Sequence, residues 1–298
     1  MPIWNPAYPL YRQALTAPQA TALVAGGESY SYSELAEQAS RVAGWLRSRS
    51  LAPDRAPRVG VLASRSLQAY AGILGACWAG ATYVALEPRL PAARLLSILE
   101  RARLDALVVD TAGATHFETL GGALPREALA PQDGASAPNR TRVERWHRMT
   151  ASRAAPEPVA SGHPIYIMFT SGTTGVPKGV VVRASNLVHF LEATSALYHL
   201  GPGDRVGQLA ATSFDLSVVE LFGCWAAGAS LHVASGSRVD NHYGPTEATV
   251  ACMMQCVTDP PIETPGRGIV AIGTPIRGCP PRWSTRAAVS CRTAARQG

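Results

Sequence analysis

Residues Tyr166–Val182 read YIMFTSGTTGVPKGVVV, and the fold turns on this stretch. Ile165–Phe169 has the length and composition of a buried strand, and Gly179–Val182 reads as a second. Between them stand four hydroxyl side chains (Thr170, Ser171, Thr173, Thr174), three glycines (Gly172, Gly175, Gly179) and Lys178. Glycines let backbone N–H groups converge on an anion with no Cβ in the way, and hydroxyls add donors that rotate towards it. Lys178 supplies a full charge at the end of the loop. Of the 27 basic residues in the chain it is the only lysine. A plain polar turn is the competing reading, but such turns rarely gather so many phosphate donors around one ammonium. The Walker pattern does not fit, because proline rather than glycine precedes the lysine and no helix opens directly after it. The stretch predicts a phosphate-binding loop between two strands.

Upstream, strands and helices alternate. Ser31 followed by Glu34 forms a capping box, and Leu35, Ala39, Val42, Ala43 and Leu46 recur at helical spacing to about Arg47. Arg58–Ala63 reads as a buried strand, and Leu67, Tyr70, Ala71, Leu74, Cys77 and Trp78 as a helical stripe that Gly80 stops. Thr82–Leu86 is a strand. Pro91 suits the first turn of a helix burying Leu95, Leu96, Ile98 and Leu99, and Asp105–Val109 is a third strand. From Thr111 to His163 the pattern dissolves into an arginine-rich connector. Downstream, Ser185 is expected to cap a helix through Leu187, Phe190, Leu191 and Leu197. Val206–Ala210, Val218–Trp225 and Ser230–Ala234 then continue the strand–helix–strand rhythm. This alternation predicts an α/β fold with parallel sheets covered by helices.

Composition excludes several classes. At 298 residues and 47% hydrophobic, the chain builds a sizeable core in one or two domains. No run of 18 uncharged apolar residues exists, and Val218–Ala234 carries Glu220 and His232, so no membrane span is expected. The N-terminus lacks the pattern of a secretory signal, and the six scattered cysteines do not form a disulfide framework. The expected compartment is the cytoplasm. The net charge is +6, but residues 277–298 hold five arginines and no acid, leaving a single net positive charge on residues 1–276. That is not the basic face of a nucleic-acid binder. Cys252 and Cys256 lie near His232 and His242, but their spacing fits no standard zinc site and their surroundings favour packing.

The loop closely resembles the phosphate loop of the adenylate-forming superfamily. YSYSEL (Tyr30–Leu35), CWAGATYVALEP (Cys77–Pro88), FDLSVVELF (Phe214–Phe222) and NHYGPTEATV (Asn241–Val250) resemble further core motifs of adenylation domains of nonribosomal peptide synthetase type, in the same order. The resemblance covers roughly residues 10–278 and implies the superfamily's α/β N-terminal core. It implies that Thr170, Ser171, Gly172, Thr173, Thr174, Gly175 and Lys178 hold the β- and γ-phosphates of ATP. Tyr243 would stack on adenine with Asn241 near its amino edge, Thr246 would touch the α-phosphate, and Glu247 would bind Mg²⁺. Asp215 would pair with the amino group of an amino-acid substrate, in a pocket lined by Leu216, Val219, His242, Val250 and Ala251. The implied reaction is attack of the carboxylate on the α-phosphorus, giving aminoacyl-adenylate and pyrophosphate. Read alone, Asp215 is better taken as a cap for a helix near Ser217, and Tyr243 and Glu247 serve as parts of a turn beside Gly244–Pro245.

Three departures from the resemblance shape the expectation. Only seven residues, 234–240, separate the strand ending at Val233 from Asn241, where the superfamily has several strand–helix units. The small C-terminal domain, which in the superfamily carries a catalytic lysine, is not matched, and Lys178 is already used in the loop. Residues 279–298 have no apolar periodicity and read as out-of-frame translation, with a genuine basic tail as the alternative. Ala184 also replaces the histidine usual after the loop strand. The expectation is an internally deleted core with impaired activity, completed by a C-terminal subdomain in trans or serving a carrier protein. The rival expectation is a non-catalytic fragment that binds ATP weakly.

Overall fold

The computed structural model describes residues 4–131, 137, 140–170 and 176–233, together with the strand residues 240–243, 253–256, 263–264, 269–270 and 274–275. The chain enters through helix α1 (Tyr8–Thr16) and a hairpin of β1 (Thr21–Ala25) and β2 (Glu28–Ser31), none of which the sequence reading anticipated. Helix α2 (Tyr32–Arg47) starts at the expected capping box. The Ser31 hydroxyl accepts from the Glu34 amide at 3.2 Å and the Glu34 carboxylate accepts from the Ser31 amide at 2.8 Å. Strand β3 (Arg58–Leu62), helix α3 (Leu67–Trp78), β4 (Thr82–Leu86), α4 (Ala92–Ala102) and β5 (Ala106–Val109) then follow as expected. Pro91 occupies the N-cap rather than the first turn of α4, and Leu96 is only half-buried.

The expected connector over 111–163 is a correction. It contains two short helices, α5 (Thr111–Ala114) and α6 (Phe117–Leu120), and two strands, β6 (Glu127–Ala130) and β7 (Arg142–Arg145), that extend the sheet. Only one apolar residue, Val143, lies in β7. As an edge strand it needs no second buried face, and ion pairs stand in for packing. Arg49 meets Glu127 at 3.4 Å and Glu144 at 3.0 Å, and Arg142 meets Glu127 at 3.5 Å.

Strands β8 (Pro164–Thr170) and β9 (Lys178–Arg183) complete a seven-stranded sheet of order β7-β6-β5-β3-β4-β8-β9. Every pair is parallel except β8–β9, so the expectation of a parallel sheet holds apart from this antiparallel edge. Helix α7 (Ala184–Tyr198) begins one residue before Ser185, which therefore sits in its first turn and is not its cap. The Asn186 carboxamide accepts from the Arg183 amide at 3.2 Å there. Next come β10 (Arg205–Gln208), α8 (Leu216–Val218), a π-helical turn at Val219–Gly223, α9 (Cys224–Ala227) and β11 (Ser230–Val233). Strands β10 and β11 join β1 and β2 in a four-stranded sheet of order β10-β11-β1-β2. The remaining described strands pair as a three-stranded set, β12 (Asp240–Tyr243), β13 (Met253–Cys256) and β16 (Thr274–Pro275), and as β14 (Glu263–Thr264) with β15 (Ile269–Val270).

Alternation along the strands of the large sheet feeds two cores. Val59, Val61, Ala106, Val108, Tyr166 and Met168 face the larger core, while Leu62, Leu107, Val109 and Ile167 face the other side with α4 and α6. Helix α3 packs on β3, β4 and β5, and α2 packs on α3 and reaches β1 and β2. The close approach of α2 and α3 depends on Gly75, where a Cβ would lie 2.5 Å from the Val42 Cβ and 2.7 Å from the Ala39 carbonyl oxygen. Two buried bonds tie the second sheet to this stack. The Tyr32 hydroxyl donates to the Ala229 carbonyl at 2.7 Å, and the Trp225 indole N–H donates to the Ala22 carbonyl at 3.0 Å. Among the described residues no helix is long and apolar enough to cross a membrane.

Candidate active site

The glycine- and hydroxyl-rich loop leaves the sheet at Thr170 and rejoins it at Lys178, which face each other as directly paired residues of the β8–β9 hairpin. Because β8 runs parallel to β4, Thr170 stands at the carboxyl edge of the parallel strands. In open α/β sheets that edge is where ligands bind. The hairpin is closely packed. A Cβ on Gly179 would lie 3.0 Å from the Ile167 side chain and 3.2 Å from the Phe169 ring, so glycine keeps the two strands in register beneath the loop. Lys178 is exposed, and its charge is available at the loop's end. Arg94, on α4, donates to the Thr170 carbonyl at 3.4 Å and brings a second cation to the loop's start. Nothing in the sequence singled out Arg94 among so many arginines.

The same edge is braced by Asp110, buried just beyond β5. Its carboxylate accepts from the Ser64 amide at 2.8 Å, the Ser64 hydroxyl at 2.5 Å, the Ser66 hydroxyl at 2.9 Å and the Gly113 amide at 2.8 Å. The chain ends of β3 and β5 are thereby locked together.

Asp215 opens the helical segment 216–227. It occupies the N-cap position, but its side chain makes no capping hydrogen bond, so the capping reading of this residue does not hold. The segment buries Ser217, Val218, Leu221 and Phe222, and Asp215, Leu216 and Val219 are half-buried, with Leu216 and Val219 packed against the same core. The π turn that follows widens the helix at this point, a feature common at functional sites. Its Glu220 was not foreseen as anything but a charge. The carboxylate accepts from the Leu209 amide at 3.2 Å and the Ala210 amide at 3.3 Å, and Arg65 donates to the Leu209 carbonyl, so the loop after β10 is pinned to the π turn. Burial pushes the Glu220 carboxyl up to about 7, against the opposing pull of the Ala210 and Leu209 amides and the Arg65 guanidinium.

Beneath this segment, Tyr83 and Tyr166 are register partners on β4 and β8 with ring centroids 5.5 Å apart, and Tyr83 lies 6.2 Å from the Phe222 ring. Burial and the Asp215 carboxylate both push the Tyr166 hydroxyl upward.

Of the expected site residues, the structure places Thr170, Lys178, Asp215, Leu216 and Val219, and puts Asn241, His242 and Tyr243 on β12. Ser171, Gly172, Thr173, Thr174, Gly175, Thr246, Glu247, Val250 and Ala251 lie outside the described residues, as do most of the shortened interval at 234–240 and the tail at 279–298. Among the described residues no group of three or more His, Cys, Asp and Glu could hold a metal ion.

The profile of the family described as AMP-binding enzyme matches residues 10–240. This chain belongs to that family. Among relatives of this chain, bacitracin synthase 3 of Bacillus licheniformis is 33% identical over 226 residues, covering 74% of the chain and 3% of that protein. The dimodular nonribosomal peptide synthase of Bacillus subtilis is 30% identical over 232 residues, covering 76% of the chain and 9% of that protein. The chain therefore spans a small part of the curated relatives it matches. Among solved structures, IdnL7 superposes with a TM-score of 0.77 at 25% identity, covering 92% of this chain and 68% of that one. The Vibrio cholerae adenylation domain AlmE, in complex with glycyl-adenosine-5'-phosphate, superposes with a TM-score of 0.74 at 20% identity, covering 91% and 64%. The α/β architecture is that of the N-terminal core of adenylation domains of the adenylate-forming, nonribosomal peptide synthetase type.

Proposed function

We propose that the chain binds ATP and an amino acid and joins them as an aminoacyl-adenylate with release of pyrophosphate. The observation that carries this reading is the pairing of Thr170 with Lys178 across a hairpin at the carboxyl edge of a parallel sheet. In this reading the loop between them offers a triphosphate its hydroxyls and backbone amides, with the Lys178 ammonium at its end. In this reading Thr170, Ser171, Gly172, Thr173, Thr174, Gly175 and Lys178 hold the phosphates. Tyr243 and Asn241 hold adenine, and Thr246 meets the α-phosphate. Glu247 holds Mg²⁺, whose bound form supplies charge neutralisation at the reacting phosphate. Asp215 takes the substrate's ammonium in a pocket of Leu216, Val219, His242, Val250 and Ala251. The glycyl-adenylate held by AlmE is in keeping with this chemistry. The core spans residues 10–278, shortened between 234 and 240.

Both reactants are anionic where they meet, so the transition state needs cationic stabilisation. Lys178 is the single lysine of the 298 residues, and it serves the phosphates. In this reading a second ammonium at the carboxylate comes from outside these 298 residues. That same count favours a second reading, a module that binds ATP without turning it over. Amino-acid-dependent exchange of pyrophosphate into ATP, run with and without an added C-terminal adenylation subdomain, separates the two. Exchange that appears on addition supports the ligase; a Mg-ATP thermal shift without exchange in either arm supports the module. Absence of both a shift and exchange overturns the proposal. The expected ATP affinity without the subdomain is about millimolar, from two or three charge-assisted contacts reduced by the cost of association.

A further inference from the structure

We propose that Arg65 is a positioning residue for Asp215: with Gln208 and Glu220 it clamps the Leu209–Ala210 dipeptide and so fixes the loop that leads into the substrate's ammonium anchor. The inference rests on the amino-acid reading above and adds a residue to it. Strand β10 ends at Gln208, so Leu209 and Ala210 belong to no ladder, yet all four of their backbone polar groups are taken by side chains. The Glu220 carboxylate accepts from the Leu209 amide at 3.2 Å and the Ala210 amide at 3.3 Å. The Arg65 guanidinium donates to the Leu209 carbonyl, and the Gln208 carboxamide donates to the Ala210 carbonyl. Gln208 is itself fully buried, and its oxygen accepts from the Tyr70 hydroxyl of α3 at 3.1 Å. Apolar packing does not call for this wiring, because Leu209 is exposed, as is Phe214 further along the loop.

The wiring is continuous with Asp215 on both sides. Before it, the Phe214 amide donates to the Ala211 carbonyl at 2.8 Å, and the Ser217 hydroxyl donates to the Phe214 carbonyl at 2.6 Å. After it, the Val218 amide donates to the Asp215 carbonyl at 2.9 Å, and Glu220 follows in the π turn. Asp215 therefore stands between the two stretches of backbone that the Glu220 carboxylate joins. Of the three clamping side chains, only Arg65 comes from outside residues 208–220. It lies just beyond β3, between Ser64 and Ser66, whose hydroxyls donate to Asp110 at 2.5 and 2.9 Å. Through β3, β4 and β8 that edge is continuous with Thr170. Arg65 thus ties the loop that carries the amino-acid anchor to the edge that carries the phosphate loop. Without the tether the loop takes up several arrangements, and ordering it again weakens amino-acid binding.

The test compares Arg65→Ala and Arg65→Lys with wild type in the full chain. Hydrogen exchange followed by mass spectrometry reads the clamp with no ligand present. In Arg65→Ala the amides of residues 209–215 should exchange about tenfold faster, and in Arg65→Lys at close to the wild-type rate. Thermal shifts with Mg-ATP and each of the twenty proteinogenic L-amino acids read the role. For the amino acid that binds, Arg65→Ala should weaken its dissociation constant by about tenfold, while the ATP constant stays within about twofold. Arg65→Lys keeps a charged donor and should recover most of that loss. A merely structural role would lower the melting temperature without separating the two ligands. If the alanine chain does not fold, Arg65→Gln takes its place in both arms with the same expected outcomes. Wild-type exchange, wild-type amino-acid affinity, or an equal loss for ATP and amino acid each overturns the proposal and leaves the functional reading standing. A wild-type chain that takes up none of the twenty amino acids sinks the amino-acid reading, and this role falls with it.

Discussion

Glu220 offers a direct measurement of what burial does to a charge in this fold. Its carboxyl is pushed from an ordinary 4.5 to about 7, with burial as the dominant cause. That displacement corresponds to about 3 kcal/mol in favour of the protonated form. The folded state binds the proton more tightly than the unfolded chain. The corresponding stability is therefore fully present below pH 4.5, falls as pH rises through 7, and is gone above it. Glu220→Gln keeps an acceptor for the Leu209 and Ala210 amides but cannot ionise. Urea unfolding followed by tryptophan fluorescence at pH 5, 6, 7 and 8 should show wild type losing about 3 kcal/mol across the range relative to the variant. Taking the difference cancels groups common to both, including His163 and His232, whose burial lowers their own titrations. At pH 8 the variant should be the more stable protein. Two stability curves that stay parallel from pH 5 to 8 would refute the reasoning, because the amides and Arg65 would then fully compensate the desolvated carboxylate.

Other residues carry sharper single outcomes. Lys178→Ala should abolish the Mg-ATP thermal shift yet change stability by less than about 0.5 kcal/mol, since the side chain is exposed. A variant that loses both has lost the fold rather than the phosphate contact. Asp110→Ala removes the acceptor of four hydrogen bonds at the carboxyl edge, and should lower the urea unfolding free energy by about 3 kcal/mol or more. Ser31→Ala breaks the capping box of α2 and should cost about 1 kcal/mol by the same assay, with ATP response intact.

The sequence was most legible where local chemistry and burial agree. The run from α2 to β5 could be placed almost residue by residue, because each helix has a stripe or a cap and each strand is buried on both faces. The two strands that flank the proposed phosphate loop were legible from their apolar runs. The region 111–163 was not, because β7 is an edge strand held by Arg49, Glu127 and Glu144 across the sheet, and ion pairs leave no hydrophobic period. The hairpin of β1 and β2 hid behind residues that alternate too briefly. Within the candidate site, Asp215, Leu216 and Val219 could be proposed from a motif, whereas Arg94 was one arginine among many until α4 set it against Thr170. Glu220 likewise reads as an ordinary helical carboxylate until the turn of π geometry folds it under the loop after β10.

The position of β8 in the large sheet makes the proposed phosphate loop depend on a long-range pairing. The strand lies beside β4, and the Thr82 hydroxyl donates to the Pro164 carbonyl across 82 positions of sequence. Closing so long a loop costs conformational entropy before the β4–β8 pairing rewards it. The hairpin that flanks the proposed anion loop thus depends on a contact between distant parts of the chain.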